Sequence, residues 1–400
     1  MGELPAKLEK KLGKRREENA LRNLAHAQYS TDFSSNDYLG FARNRSIFTG
    51  ATHKVLQHKI VLNGATGSRL LSGNLEMYAA LEKTLCDFHL SKAALVFNSG
   101  YDANIGFFSA VPQRSDVIFY DELVHASIRD GIRMGNARGI KFRHNDLADL
   151  QAKLSGLIQG ETGMHGGEIY VVTEAVFSMD GDSPDLNSLV KFCKANALWL
   201  IVDEAHAVGV FGPDGSGLLR ELGLEQQVFA RIVTFGKGMG AHGAAILGNK
   251  GLKTYLINFA RSFIYTTGLP PHSLATILQA CNGMKTDDGQ QSRRLLFENI
   301  KIFKATLEDL NLTSSFVESN SAIHSCILPG NIRVKKIAKQ LQQHGFDVRP
   351  ILSPTVAKGQ ERLRFCLHSY NTEEEIVRVL TLLKSQITKL SILVEGSTDQ

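Results

Sequence analysis

The chain is predicted to be an α/β protein. A large domain is built on a mostly parallel seven-stranded sheet, and a smaller α+β domain follows it. Between about Ala65 and Gly268, short apolar runs alternate with longer helical patterns, as in a sheet covered by helices on both faces. The 36 glycines against 9 prolines suit many tight strand-to-helix turns. Beyond Pro270-Pro271 the alternation gives way to longer helices with isolated strands.

Taken in order, residues 1–45 form an N-terminal segment with a basic helix over 5–26 and an extended stretch at Asp32–Ser34. Residues 46–274 form the large domain. Its strands are expected at Ala94–Phe97, Val117–Tyr120, Lys141–Arg143, Ile169–Thr173, Leu200–Val202, Ile232–Thr234 and Ala244–Leu247. Residues 275–400 form the small domain, with a helix over 291–310, a strand at Ala322–Leu328, a helix at Ile332–His344 and a strand at Arg362–Leu367. The last helix opens with a capping box, Thr372 to Glu375, and its apolar face is Ile376, Val379, Leu380, Leu383 and Ile387.

With 400 residues, 43% of them hydrophobic, the chain can bury a large core. A net charge of +5 is too mild to mark a nucleic-acid binder, though it suits an acidic substrate. Cys86, Cys193, Cys281, Cys326 and Cys366 are scattered and are expected to be reduced thiols. No apolar stretch reaches membrane length, the N-terminus has no apolar signal core, and Glu17 and Glu18 interrupt its basic run. A cytoplasmic protein with no membrane or nucleic-acid partner is expected.

The chemistry centres on Lys237, in Thr234-Phe-Gly-Lys-Gly-Met-Gly240, and on Asp203, at the end of Leu198-Trp-Leu-Ile-Val202. A lysine crowded by glycines can offer its amine to a carbonyl, and a strand-end aspartate can hold a protonated ring nitrogen. Together they point to a pyridoxal phosphate (PLP) site. His206, three residues past Asp203, is placed to reach the cofactor's phenolic oxygen, the alternative being an ordinary loop histidine.

Gly238-Met-Gly240-Ala-His-Gly243 also matches a dinucleotide fingerprint. A strand pattern follows it, however, and no acidic residue occurs before Asp287, so that reading fails. Asn98-Ser-Gly-Tyr101 lies at a strand-to-helix turn, where free N–H groups can hold a phosphate; many such turns bind nothing. His125, just past a strand end, is either a wall against a flat ring or a solvated helix-start histidine. His144-Asn-Asp146 lacks metal-site spacing and is taken as structural, and no metal is expected. Arg362-Leu-Arg364 must turn an arginine inward, toward either a substrate carboxylate or a structural ion pair.

These motifs resemble the α-oxoamine synthases, PLP enzymes of the aspartate-aminotransferase fold type (fold type I) that condense an amino acid with an acyl-CoA. The resemblance covers nearly the whole chain. Its markers are Phe33-Ser-Ser-Asn-Asp-Tyr-Leu-Gly40, Gly67-Ser-Arg-Leu-Leu-Ser-Gly73, Asn98-Ser-Gly-Tyr101, Asp121-x-x-x-His125-Ala-Ser127, Thr173-Glu-Ala-Val-Phe-Ser-Met-Asp-Gly-Asp182, Val202-Asp-Glu-Ala-His206, Thr234-Phe-Gly-Lys237 and Tyr265-Thr-Thr-Gly-Leu-Pro-Pro271.

The resemblance implies Lys237 as the Schiff-base lysine, Asp203 as partner of the ring nitrogen, and His125 as the residue stacked on the ring. It places His206 and Ser178 near the phenolic oxygen, and Gly100, Tyr101 and Thr234 at the phosphate. Thr266 and Thr267 fall where the family brings a phosphate contact from the other subunit, implying a homodimer. Arg364 fits the amino-acid carboxylate clamp, and Arg22 and Thr355 fit the acyl positions.

Within the family, the short N-terminus and the segment Ser353-Pro-Thr355-Val favour the branch that joins L-alanine to a pimeloyl thioester. Branches using other amino acids or acyl chains, and a non-catalytic subunit, are the alternatives. The chain departs from the family at Tyr78, where many relatives carry histidine, at Glu204, which replaces a common aspartate, and at His242, where a small residue is usual.

Overall fold

The computed structural model describes residues 4–24, 29–160 and 166–395. They form two compact units. The larger holds Asn36–Ser178 and Ser183–Arg294, and the smaller holds the residues up to Ser35, Met179–Asp182 and those from Leu295 onward.

A two-residue strand, β1 (Thr31–Asp32), belongs to the smaller unit. The larger unit is organised by β2 (Ala93–Phe97), β3 (Val117–Asp121), β4 (Arg138–Phe142), β5 (Ile169–Glu174), β6 (Trp199–Asp203), β7 (Ala230–Thr234) and β8 (Ala244–Gly248). They form one sheet in the order β2-β8-β7-β6-β5-β3-β4. Only β8 runs against its neighbours, pairing antiparallel with both β2 and β7. β2 and β7 therefore point the same way, and the carboxyl ends of β2, β3, β5, β6 and β7 open on one edge. That edge is where open α/β sheets place ligands.

All seven expected strands are present. β4 begins earlier than its apolar pattern indicated, because it is an edge strand whose Arg138, Gly139 and Lys141 are exposed. The central strands are apolar throughout because helices cover both faces, and Phe107, Phe108, Ile118, Val172, Ile201 and Ile232 belong to one continuous core. The glycine-rich segment 238–243 leads into β8 and not into a helix, so it lacks the context of a dinucleotide site. Residues 275–294, expected from sequence in the smaller domain, belong to the larger unit, where the helix Pro271–Met284 packs on the helices Arg45–Gln57 and Met77–His89. The passage between units falls between Arg294 and Leu295, inside the helix Asp287–Asp309.

In the smaller unit, β9 (Ile323–Ile327), β11 (Arg349–Ile351) and β12 (Arg362–Cys366) form an antiparallel sheet in the order β11-β12-β9, while β10 (Phe346–Asp347) pairs in parallel with β1. Phe33, Phe303, Phe316 and Phe365 meet ring against ring beside it. The capping box forms as expected: the Thr372 amide donates to Glu375 Oε2 at 3.0 Å, and the Glu375 amide donates to Thr372 Oγ1 at 3.2 Å. The basic helix is shorter than expected, Ala6–Glu17, and buries none of its residues. Residues 25 and 26 of the expected helix lie outside the described residues. No described helix is long and apolar enough to cross a membrane.

Candidate active site

At the carboxyl edge of the sheet, five strand ends deliver side chains to a cavity of about 200 Å³. Gly100, Tyr101, Asn104, His125, Ser127, Glu174, Asp203, His206, Thr234 and Lys237 line it. Lys237 leaves β7 on a turn that only glycines permit. A Cβ on Gly238 would lie 2.6 Å from the Val208 carbonyl oxygen, and one on Gly240, at φ +59°, would lie 2.1 Å from the Ala42 amide nitrogen. The sequence reading of a lysine crowded by glycines thus has a steric cause.

Lys237 Nζ lies 2.7 Å from His206 Nε2, and His206 Nδ1 lies 2.6 Å from the Tyr38 hydroxyl. The Tyr38 hydroxyl donates to Asn36 Oδ1 at 3.2 Å. Each donor thus has an acceptor: Lys237 donates to Nε2, the Nδ1 proton goes to Tyr38, and Tyr38 donates onward.

Asp203 is 5% exposed at the end of β6. Its Oδ1 accepts the Ala205 amide and its Oδ2 accepts Asn104 Nδ2, each at 2.9 Å. Glu174 pairs in register with Asp203 on β5, and its Oε1 accepts the His125 amide. Burial, with the Asp203 carboxylate beside it, pushes the Glu174 carboxyl up to about 8. Burial lowers the His125 imidazole below its usual range, against the pull of Asp203.

The helix Gly100–Ala110 begins at the cavity, capped by Ser99, whose hydroxyl accepts the Asp102 amide at 3.1 Å. Its first N–H groups and its positive end mark an anion site. The donor set fits PLP. The helix start suits its phosphate, a buried carboxylate suits a protonated ring nitrogen, an imidazole supplies a flat wall, and an amine can reach its carbonyl carbon. The buried Asn104 Oδ1, which has no hydrogen-bond partner, costs about 1–3 kcal/mol, as expected where an amide is fixed for what its donors hold.

Seven sequence candidates meet at this cavity: Gly100, Tyr101, His125, Asp203, His206, Thr234 and Lys237. Ser178 is half-buried beyond β5 and does not line it. The Thr266–Thr267 segment is anchored nearby, the Thr267 carbonyl accepting Asn98 Nδ2 at 2.6 Å. Asn104, Ser127, Glu174 and Tyr38 were not singled out from sequence, although Tyr38, Ser127 and Glu174 stand inside quoted motifs and Asn104 is one helical turn past Gly100. His144 Nδ1 holds Asp121 Oδ1 at 2.9 Å, a structural contact. Of the three departures, Tyr78 is buried under the Arg69 guanidinium, Glu204 pairs with Arg231 at 2.9 Å, and His242 is exposed and does not line the cavity.

The remaining candidates lie in the smaller unit. Arg362 and Arg364 are both buried on β12, where Arg362 forms an ion pair with Asp180. The structural reading of that strand therefore applies to Arg362. Arg22 Nη2 donates to Thr355 Oγ1 at 3.1 Å, and both residues line a second cavity of about 270 Å³ with Arg15, Ala20, Ile351 and Leu352.

A sheet of this order with an amine, an imidazole and a buried carboxylate at its carboxyl edge defines a PLP-dependent transferase of fold type I. The model of the aminotransferase class I and II family matches residues 30–383, and the chain belongs to that family. The chain is 39% identical to the 8-amino-7-oxononanoate synthase of Emericella nidulans, covering 90% of each chain. It is 37% identical to that of Marinobacter nauticus, covering 90% of this chain and 88% of the relative. Among solved structures, the serine palmitoyltransferase of S. paucimobilis, with a bound PLP–myriocin adduct, superposes with a TM-score of 0.87 at 25% identity, over 98% of this chain and 100% of that one. The 8-amino-7-oxononanoate synthase of Francisella tularensis superposes with a TM-score of 0.74 at 28% identity, over 90% and 98%. The cofactor of this chain is pyridoxal 5′-phosphate.

Proposed function

We propose that the chain joins L-alanine to a pimeloyl thioester, forming 8-amino-7-oxononanoate and releasing CO2 and the free thiol, a step of biotin biosynthesis. The relatives named above support this reading. The observation that carries it in the structure is the second cavity, where Arg15 and Arg22 stand at an apolar-walled space beside Thr355. Two guanidinium groups lining such a space suit an acyl chain that ends in a carboxylate, as pimeloyl and succinyl chains do, and an acetyl or palmitoyl chain offers them nothing.

When bound, PLP supplies an electron sink for bonds at the amino acid's α-carbon. Lys237 is the group that would hold the cofactor and then remove and return the α-proton. His206 accepts from the Lys237 amine and so orients it. Asp203 would keep the ring nitrogen protonated, and His125 would wall one ring face. Gly100, Tyr101 and Thr234 would hold the phosphate, with Ser178 near the phenolic oxygen. Arg364 would fix the amino-acid carboxylate, leaving the α-proton to Lys237.

The assembly is a homodimer with a shared active site, in which Thr266 and Thr267 serve the neighbouring phosphate. Val61, Leu71 and Tyr265 are 92%, 83% and 72% exposed, and the Gly268 amide joins their two segments by donating to the Gly67 carbonyl at 3.0 Å. So much apolar surface on adjoining segments fits a subunit contact. A cytoplasmic location accords with the absence of a membrane-length helix among the described residues.

Thiol release by the PLP-loaded protein tests the reading, with alanine, glycine and serine each offered with pimeloyl-, acetyl-, succinyl- and palmitoyl-CoA. Release with alanine and pimeloyl-CoA is expected. Release confined to another pair would move the chain to a sister synthase, and none with any pair would leave a carrier-protein thioester or a non-catalytic subunit.

A further inference from the structure

We propose that Asn104 and Ser127 are positioning residues that hold His125 as a neutral imidazole with its proton on Nε2 and tie it to Asp203. The proposal rests on reading the cavity as the cofactor site, and it deepens that reading.

The direction of each hydrogen bond in this chain follows from elementary chemistry. The Ser127 amide lies 3.2 Å from His125 Nδ1, and an amide can only donate, so Nδ1 accepts and carries no proton. Asn104 Nδ2 lies 2.9 Å from Asp203 Oδ2 and 3.0 Å from Ser127 Oγ, which uses both of its hydrogens. Flipping the amide would set its oxygen against the carboxylate, so this orientation is the one that persists, even though Oδ1 is left buried without a partner. The Ser127 hydroxyl, accepting from Asn104, is left to direct its own hydrogen to His125 Nδ1, 2.7 Å away. Two donors therefore converge on Nδ1, and the imidazole proton sits on Nε2.

Every link but His125 is deeply buried: Asn104 is 2%, Ser127 1% and Asp203 5% exposed. The His125 backbone is fixed as well, since its amide donates to Glu174. Nε2 has no hydrogen-bond partner among the described residues, and His125 lines the cavity. Its N–H is thus reserved for the occupant. Of the charged groups around the imidazole, Asp203 and Asp130 favour its protonation, while Lys237, Arg129 and burial oppose it. The two donors on Nδ1 add to the opposing side, so the ring presents a fixed N–H and no charge.

Nitrogen NMR of histidine-labelled protein tests this, with His125→Asn used to assign the signal and spectra recorded both without cofactor and PLP-loaded. In both forms, wild-type His125 is expected to be neutral with its proton on Nε2 at pH 7. In Ser127→Ala its titration midpoint is expected to rise by roughly 0.5–1 unit, through loss of one donor on Nδ1, and Ser127→Thr is expected to restore it; in Asn104→Leu the midpoint is expected to rise because the Ser127 hydroxyl is no longer directed at Nδ1. An Nδ1–H or charged ring in the wild type would overturn the proposal. So would an unshifted midpoint in Ser127→Ala, a smaller change at a buried site than Asn104→Leu and readable even if Asn104→Leu misfolds. PLP uptake, followed by absorbance, is a separate readout. If no PLP binds while the tautomer is as stated, the cofactor reading fails and the positioning assignment stands.

Discussion

The Lys237 amine and the His206 imidazole are joined at 2.7 Å, and the imidazole is held from its far side by the Tyr38 hydroxyl at 2.6 Å. Lys237 comes from the turn after β7, His206 from the turn after β6, and Tyr38 from the segment ahead of the first large-unit helix. Three separate stretches of chain therefore converge on one amine.

Replacing Lys237 with Ala removes the group that would carry the proton at the α-carbon. Thiol release should fall by at least about 10³-fold, since positioned acid–base groups contribute on the order of 10²–10⁴. Turnover within tenfold of wild type would show that another group does this work.

Tyr38→Phe keeps the ring but removes the oxygen facing His206 Nδ1. The loss of one buried hydrogen bond, about 1 kcal/mol, predicts a roughly fivefold fall in kcat with little change in the KM for the acyl donor. The steady-state parameters of the purified variant check this split.

Glu174 makes the stability of the fold depend on pH. Its carboxyl is raised from 4.5 to about 8 in the folded protein. Between those values the native state binds one more proton than the unfolded chain, so stability falls as pH rises. Its contribution is complete below pH 4.5 and gone above about 8. Glu174→Gln, which keeps an oxygen to accept the His125 amide, should lose this slope. Cofactor-free protein melted at pH 5 and pH 9 should show a smaller difference in the variant than in the wild type, by an amount of order a few kcal/mol.

The large sheet was legible because its strands are buried on both faces, so their apolar runs stand out between glycine turns. β4 was only partly legible, because an edge strand can carry Arg138 and Lys141 outward. β10 and β11 were hidden, being two and three residues long, with Pro350 inside the latter. In the site, Lys237 and Asp203 stood out through their flanks. Glu174, Ser127 and Asn104 did not, because an acid at a strand end or an amide inside a helix looks ordinary until the register of β5 and β6 sets it beside Asp203. Arg362 and Arg364 were indistinguishable by pattern, and the ion pair with Asp180 marks Arg362 as structural.

Arg22→Ala should act on the acyl donor alone. Losing a charge-assisted contact, about 1.5–3 kcal/mol, predicts a KM for pimeloyl-CoA raised roughly 10- to 150-fold, with the KM for alanine unchanged. Arg364→Ala should do the reverse. An equal effect of both variants on both substrates would remove the division of labour between these arginines.

The dimer can be tested at Leu71, whose side chain is 83% exposed. Leu71→Asp places a charge where apolar surface is proposed to be covered, and burying an unpaired charge is far costlier than exposing it. The wild type should sediment at twice its 43.9 kDa chain mass and the variant at that mass. Because Thr266 and Thr267 are proposed to serve the neighbouring subunit's phosphate, the monomeric variant should also bind PLP more weakly. A variant that is monomeric yet binds PLP as the wild type does would leave the subunit contact in place and remove the shared site.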